Sequence, residues 1–430
     1  MRDELLRTHP IIRCCLWIVI AIAISTPSYA DQGAPTTFVS FYDIPGGSQS
    51  LEPPSVSDDG LVVAGQSSQP FRWTYAGGLE LLGDLPGGFS GGSARGISSD
   101  GSVIVGWLGN GSGVEYKAFR WTQATGMVDL GALPGGFIHK SFANAVSADG
   151  MVVVGESLSA FGGEAFRWTA VDGIVGLGDL AGGSFGSEAL AVSFDGSVIA
   201  GTGASPTTEA FRWTAAGGMV GLGYHQGGNF SRINAMTDNG LALIGETSDS
   251  SDFASAVRWE SGTGFVTLPG CSLCNFVGQS VSANGDVVGG YRWFASLQLS
   301  ATVWDDTNGL QYFEDLLSDR GIGTNGWNLD KVTGISADGT TYVGTATKVI
   351  DQFIVETGWV AVLGDPAVEV PTMAPRAIAI LLLAMTALAC LRLRGRTIAN
   401  RALAHARHRA SLPGPRPPAQ LPPATWIERR

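Results

Sequence analysis

One short hairpin pattern occurs seven times along the chain and restricts the folds open to it more than any other feature. Its copies are "SVSDDGLVVAG" (55–65), "GISSDGSVIVG" (96–106), "AVSADGMVVVG" (145–155), "AVSFDGSVIAG" (191–201), "AMTDNGLALIG" (235–245), "SVSANGDVVGG" (280–290) and "GISADGTTYVG" (334–344). The turn residues are Asp59-Gly60, Asp100-Gly101, Asp149-Gly150, Asp195-Gly196, Asn239-Gly240, Asn284-Gly285 and Asp338-Gly339. Successive glycines lie 41 to 54 residues apart. Asp-Gly and Asn-Gly favour primed two-residue turns, whose twist matches that of the flanking strands. Each copy therefore predicts a small-residue strand, a tight turn and an apolar strand. The recurrent Asp/Asn reads as a turn residue, because no D-x-D-x-D-G calcium spacing surrounds it.

A second element keeps step with the first. It is "FRWT" in four copies, then "VRWE", "TVWD" and "TGWVAVL", with Trp73, Trp121, Trp168, Trp213, Trp259, Trp304 and Trp359 in register. A third follows each Trp segment, as in "LELLGDLPGG" and "MVDLGALPGG", and weakens to "FVTLPGC" and "LQYFEDLLSDRG" in the later units. Each unit thus reads as four short strands, since the alternation has period two and Gly-rich turns separate the runs. Gly makes up 61 of 430 residues and charged residues 15%, which suits turn-rich β structure better than helices.

Four strands repeating at this period are the signature of β-propeller blades. The last unit (334–363) lacks its fourth strand, while "FVSFYDIPGG" (38–47) is a fourth strand without a unit. The N-terminal strand can complete the last blade, which closes the ring and removes the open sheet edges that invite aggregation. The expected fold is all-β: a seven-bladed β-propeller of four-stranded blades over 31–366. An open β-solenoid leaves the permuted end without a reason.

The ends are of another kind. Arg2, Arg7 and Arg13 precede the apolar run 14–25, and "PSYA" ends at Ala30, so residues 1–30 read as a secretory signal peptide cleaved after Ala30. After a linker (367–376), "AIAILLLAMTALACL" (377–391) reads as a hydrophobic anchor or sorting helix, short for a full span and flanked by Arg392, Arg394 and Arg396. Residues 392–430 hold nine Arg and one Glu and turn Pro-rich, the composition of a disordered tail. Residues 31–375 hold 13 basic and 35 acidic residues. So acidic a body lacks the basic face that phosphate binding needs, which excludes nucleic acid as a partner.

The ordered pattern "VSADGxVVVG…EAFRWT…GMVxLGxLPGG" resembles the HAF repeat of bacterial extracellular proteins, across about residues 36–363. The unit "NGWNLDKVTGISADGTTYVG…TGWVAVL" is similar to the usual last unit of that family. The segment 370–396 resembles the PEP-CTERM class of bacterial sorting signals, which implies processing by a membrane transpeptidase-like enzyme. Val370-Pro371-Thr372 stands where that class has Pro-Glu-Pro, and 34 residues follow Arg396. These resemblances imply an exported protein, at the cell surface or beyond it. The HAF family carries no activity to transfer.

Little in the body suggests catalysis. It holds two histidines, His139 and His225, and no G-x-S-x-G elbow, so no catalytic residue, metal or cofactor is assigned. Cys271 and Cys274, in "CSLC", read as a local disulfide of an exported protein, and a zinc site joining them to His225 would have only three ligands. Arg72, Arg120, Arg167, Arg212 and Arg258, in the Phe/Val-Arg-Trp motif, alternate away from the Trp face and read as partners of an acidic or carbonyl group between blades. The informative variation lies between the second and third strands: 107–117, 156–164, 246–255 and 291–300. Divergent loops on a rigid frame are a usual way to present a binding surface. Trp107, Tyr116, His139, Phe161, His225 and Trp293 are the ligand-binding candidates. The expected function is a non-catalytic, surface-associated binding, adhesion or matrix module. Its expected partners are the export machinery, a C-terminal processing enzyme, the membrane through 377–391 and a glycan or matrix polymer. The alternatives are a carbohydrate-active hydrolase or lyase and a purely structural envelope protein.

Overall fold

The computed structural model describes residues 37–50, 52–225, 227–248, 254–268, 275–293 and 298–363. The signal cleavage point after Ala30, the Cys271–Cys274 pair, the segment 377–391 and the basic tail lie outside these residues. Seven four-stranded antiparallel sheets form a seven-bladed β-propeller, one sheet per repeat. Blade 3 is representative: Ser141–Val146, Val153–Leu158, Gly163–Thr169 and Gly173–Gly176 pair in sequence order. First strands of successive blades touch one another, and the first strand of blade 7 (Asn328–Ile335) touches that of blade 1 (Ser55–Val56), so the first strands form the inner wall of a closed ring.

The repeated turn differs in one respect from a primed two-residue turn, which needs positive φ at both central residues. Gly150 has φ +70°, but none of the repeat Asp or Asn residues has positive φ. The hairpin closes one step further out, where the Ser147 amide donates to Val152 O (2.9 Å) and the Gly150 amide to Ser147 O (2.9 Å). The residue two before each Asp/Asn decides this. Ser147 Oγ donates to Asp149 Oδ1 (2.7 Å) and accepts from the Val152 amide (2.9 Å), while Asp149 Oδ1 also accepts from the Met151 amide (2.9 Å). The hydroxyl thereby stands in for a ladder partner in a four-residue loop. The same Ser/Thr-to-Asp/Asn bond recurs in the other six blades.

These turns join the blades. The Asp58 amide donates to Ser99 O, Ser99 to Ala148 O, Ala148 to Phe194 O, Phe194 to Asp238 O, Asp238 to Ala283 O, Ala283 to Ala337 O, and Ala337 back to Asp58 O, at 2.9–3.3 Å. Seven hydrophobic clusters lie behind the ring, each straddling one seam between neighbouring blades. Phe71, Phe119, Phe166 and Phe211, from the Phe-Arg-Trp strands, are buried in four of them. A buried Phe contributes roughly 1.5–3 kcal/mol, so apolar burial dominates the cohesion between blades.

The glycine that ends each apolar run is required by close approach. A Cβ on Gly155 would lie 1.9 Å from Phe142 O on the inner strand, and the equivalents Gly106, Gly201, Gly245, Gly290 and Gly344 meet inner-strand carbonyls at 1.8–2.0 Å. The inner strand is bulged beside this contact: Asn144 is left over between the pairs Ala143↔Gly155 and Ala145↔Val154.

Closure is by the N-terminal strand. Thr37–Ser40 pairs antiparallel with Phe353–Val362 as the fourth strand of blade 7, with Phe38 opposite Ala361 and Ser40 opposite Trp359. Phe41 then packs edge-on to Phe71 (5.1 Å) and Trp73 (5.6 Å) of blade 1, and Trp327 Nε1 donates to Asp43 Oδ2 (2.8 Å). One helix, α1 (Phe313–Asp319), replaces the Leu-Pro-Gly-Gly turn after blade 6, which the sequence reading took as a weakened copy of the third repeat element. The double glycine is absent there, and Phe313 and Leu317, one helical turn apart, are both buried. Phe313 stacks on Trp359 at 5.1 Å. Among the described residues no helix is long and apolar enough to cross a membrane.

Deleting residues 31–47 should cost several kcal/mol of stability and lower the melting midpoint, by unpairing the last blade and removing Phe41 from the blade 7–blade 1 core. An unchanged midpoint would show that closure does not depend on this strand. Gly155→Ala should cost roughly 1–3 kcal/mol in urea unfolding, because a backbone carbonyl occupies the space of the new methyl. Gly91→Ala, where a Cβ meets nothing within 4 Å, should stay within about 0.5 kcal/mol.

Candidate binding face

The antiparallel strands give the propeller two unlike ends. The first-to-second and third-to-fourth connections lie at one end, the turn end. The second-to-third and blade-to-blade connections lie at the other, the loop end. At the turn end three of the five motif arginines meet partners. Arg120 Nε donates to Gly150 O of the next blade (3.1 Å), and Arg258 Nη1 to Gly285 O (3.4 Å) while its Nε reaches Glu260 (2.6 Å). Arg167 lies 3.8 Å from Asp172. The turn end is a near-identical surface, repeated blade by blade and hydrogen-bonded to itself.

The loop end departs from the repeat, and it does so inside the strands. The position after the obligatory glycine is Gln66, Trp107, Glu156, Thr202, Glu246, Tyr291 and Thr345 in blades 1 to 7. The sequence reading placed several of these in connecting loops. The second strand of blade 2 runs to Gly109 and the third starts at Tyr116, so Trp107 and Tyr116 sit on strands and the loop is only 110–115. Likewise Trp293 ends the strand Val287–Trp293. Gln66 Oε1, Trp107 Nε1 and Thr345 Oγ1 are buried at this position without a hydrogen-bond partner among the described residues.

At the seam of blades 2 and 3 the ring brings two candidates together. Trp107 and Tyr116 meet edge-to-face at 5.4 Å, and Phe142, on the inner strand of blade 3, completes the cluster at 5.7 and 5.1 Å. The Arg95 guanidinium lies over Trp107 (5.8 Å) and Phe142 (5.9 Å), and the Lys140 ammonium over Phe142 (5.7 Å). His139 borders the cluster: its carbonyl accepts the Tyr116 amide (3.0 Å), and its Nε2 is 4.0 Å from Asp129, which also holds Lys117 (2.8 Å). The other candidates stand apart from this cluster, Phe161 elsewhere on blade 3 and the rest on other blades. Phe161 is 77% exposed and packs on Phe185 at 5.5 Å. His225 lies between blades 4 and 5, where its carbonyl closes a turn to Gly228, and Trp293 lies on blade 6.

The sequence reading missed Phe142, Arg95 and the charges that follow them around the ring. Arg95 and Asn144 are bulge residues of consecutive inner strands. Arg95 pairs with Glu52 (3.2 Å) and donates to Asn144 Oδ1 (3.0 Å), Asn144 donates to Glu188 Oε1 (3.2 Å), and Arg232 lies 3.9 Å from Glu188. Carboxyls here are partly desolvated. Burial, and then Glu188, raise the Glu156 pKa against the pull of Lys140 and Arg95. Burial raises that of Glu246 against Arg232. Asp330, on the inner strand of blade 7, is pushed up to about 7, chiefly by burial and further by Glu356 and Glu314. A reading of the aligned position after each glycine would have found Glu156 and Glu246; nothing local in the sequence points to Phe142.

Among the described residues no group of three or more His, Cys, Asp or Glu side chains could hold a metal ion. His225 is described, but its suggested cysteine partners are not.

No protein-family model matches the chain, and no curated protein matches it. Among solved structures it is similar to a TolB-like protein from Agrobacterium tumefaciens, with 14% identity over 77% of this chain and 92% of that one and a TM-score of 0.40. It is also similar to TolB from Acinetobacter baumannii, with 13% identity over 71% of this chain and 78% of that one and a TM-score of 0.42.

The Asp330 carboxyl titrates higher in the fold than in the unfolded chain, where about 3.9 is usual. Its contribution is therefore fully present below pH ~4 and lost as pH rises through 7. Asp330→Asn keeps an acceptor for Thr347 and removes the charge. It should raise the urea midpoint at pH 8, with the gain shrinking toward pH 4. A gain of equal size at both pH values would show that ionisation of Asp330 does not burden the fold.

Proposed function

We propose that the protein is an exported, non-catalytic binding module of the bacterial cell envelope or surface, presenting its loop end to a glycan or matrix polymer. The observation that carries this reading is the contrast between the two ends. The turn end repeats, with its seven turns hydrogen-bonded to one another. The loop end carries an aromatic cluster with flanking cations, half-desolvated carboxyls and unpartnered polar atoms. Aromatic faces beside a few fixed polar groups suit the alternating apolar and hydroxyl faces of sugars.

Export is supported by the signal-like pattern ending at Ala30, and surface sorting by the likeness of 370–396 to PEP-CTERM signals. The likeness to HAF repeats supports an extracellular setting. Thr37 pairs with Val362, and the Leu363 amide donates to Thr340 O beside the blade 7 turn, so the chain enters and leaves the propeller at the turn end.

The protein isolated from its native cells should have the mass of a chain lacking both terminal segments, and intact cells should be labelled on it. It should also co-sediment with their isolated matrix polymer and leave the polymer length unchanged. Absence of co-sedimentation would refute the binding reading, and shortening of the polymer would replace it with the hydrolase or lyase reading.

A further inference from the structure

A cleft of about 270 Å³ opens at the loop end between blades 3 and 4. Its polar lining is Glu156 from blade 3 with Ser187, Glu188, Thr202 and Thr208 from blade 4, and the Ser187 hydroxyl is taken up by Gly178 O and the Ala165 amide. Glu188 is engaged by Asn144 and Arg232. The Glu156 carboxyl and the hydroxyls of Thr202 and Thr208 make no hydrogen bond among the described residues. Three hydrogen-bonding side chains from two blades thus line one space without protein partners.

Phe161 and Phe185 pack together at 5.5 Å and stand within two residues of Gly163 and Gly186, which are walls of the cleft. Gly163 also leaves room for the acid, since a Cβ there would meet Glu156 Oε1. The space is smaller than the roughly 300–1,000 Å³ of pockets that hold drug-sized ligands, so it suits one ring rather than a length of polymer. Charge narrows the ligand further. Two carboxylates line the cleft and no cationic side chain does, so a uronate finds no ion-pair partner there. Lys140 and Arg95 already act on Glu156, and Arg232 on Glu188, which leaves little net negative charge to hold an ammonium.

We infer that this cleft is the subsite for one uncharged pyranose ring of a glycan, with Glu156, Thr202 and Thr208 taking ring hydroxyls and the Phe161–Phe185 pair lying against its C–H face. The inference rests on the glycan-binding reading above. A carboxylate accepting two adjacent hydroxyls fixes their orientation, and an aromatic face beside it selects a sugar with an axial-free, C–H-rich side.

The test is binding of the full exported protein to an array of glucose, galactose and mannose oligomers beside oligomers of glucuronic acid and of glucosamine. The uncharged oligomers should bind. Glu156→Gln should bind them about tenfold or more weakly, as loss of a charge-assisted hydrogen bond implies. Phe161→Ala, at an exposed site, should weaken them with an unchanged melting midpoint, which keeps the test valid if Glu156→Gln folds poorly. Binding of uncharged oligomers that neither variant weakens would overturn the cleft as their site and leave the module reading standing. Preference for glucuronic acid or glucosamine oligomers would overturn the ligand class. Binding of none of the oligomers would overturn this subsite, while co-sedimentation with native matrix decides the broader reading separately.

Discussion

The structure depends on a closed circuit of seven backbone hydrogen bonds, in which each inner turn donates to the next and Ala337 returns to Asp58. A circuit of this kind has no partial form, because the last bond can close only if seven blades subtend the full circle. Each bond adds about 0.5–1.5 kcal/mol, less than one buried Phe. Its larger role is geometric. It fixes the pitch between blades at the point nearest the axis, where a small angular error would become a large displacement at the outer strands. The Ser/Thr–Asp/Asn pair in every turn serves that purpose: it shapes the loop so that the intervening amide and carbonyl point sideways to the neighbours.

The bulge and the obligatory glycine on the second strand act with the ring. The bulge releases one inner-strand residue from the ladder in each of blades 2 to 6 and two in blade 7, and the glycine makes room for the carbonyl that tilts with it. Asn144, Asn234 and Thr333 use that freedom to bond to the inner strand of the next blade, at 3.0, 2.8 and 2.9 Å. Beyond this second seam the strands are no longer bound to the repeat. The residue after the glycine can then be Trp, Glu, Thr or Tyr without disturbing the circuit. The division between a uniform turn end and a varied loop end follows from where the inter-blade bonds are made.

This division also explains what could be read from the sequence. Blade number, strand order and the borrowed N-terminal strand were legible because each signal recurs, so degenerate copies in blades 5 and 6 did not hide the period. The turn geometry was not legible from Asp-Gly, which suits a two-residue turn as well as a four-residue loop. The Ser or Thr two places earlier selects the loop, through bonds that only the folded hairpin shows. Helix α1 was hidden because its segment was read as a worn copy of Leu-Pro-Gly-Gly, although Phe313 and Leu317 carry helical spacing. Trp107 and Tyr116 could be picked out as aromatics near a connection, yet Phe142 lies 26 residues further on in a strand that looks like any other inner strand.

The polar side chains of the loop end are brought together by the ring in the same way. A catalytic group is recognised by a fixed relation to a second group, usually close in sequence or on a known motif. Here the relations are made by the ring: Arg95 meets Glu52 and Asn144 across two seams, and Glu188 meets Asn144 and Arg232 across two more. These pairs neutralise one another and leave Glu156, Thr202 and Thr208 as isolated hydrogen-bonding groups beside aromatic rings. Among the described residues none of the three makes a side-chain hydrogen bond, so their donors and acceptors stay available to orient a ligand placed between the two blades.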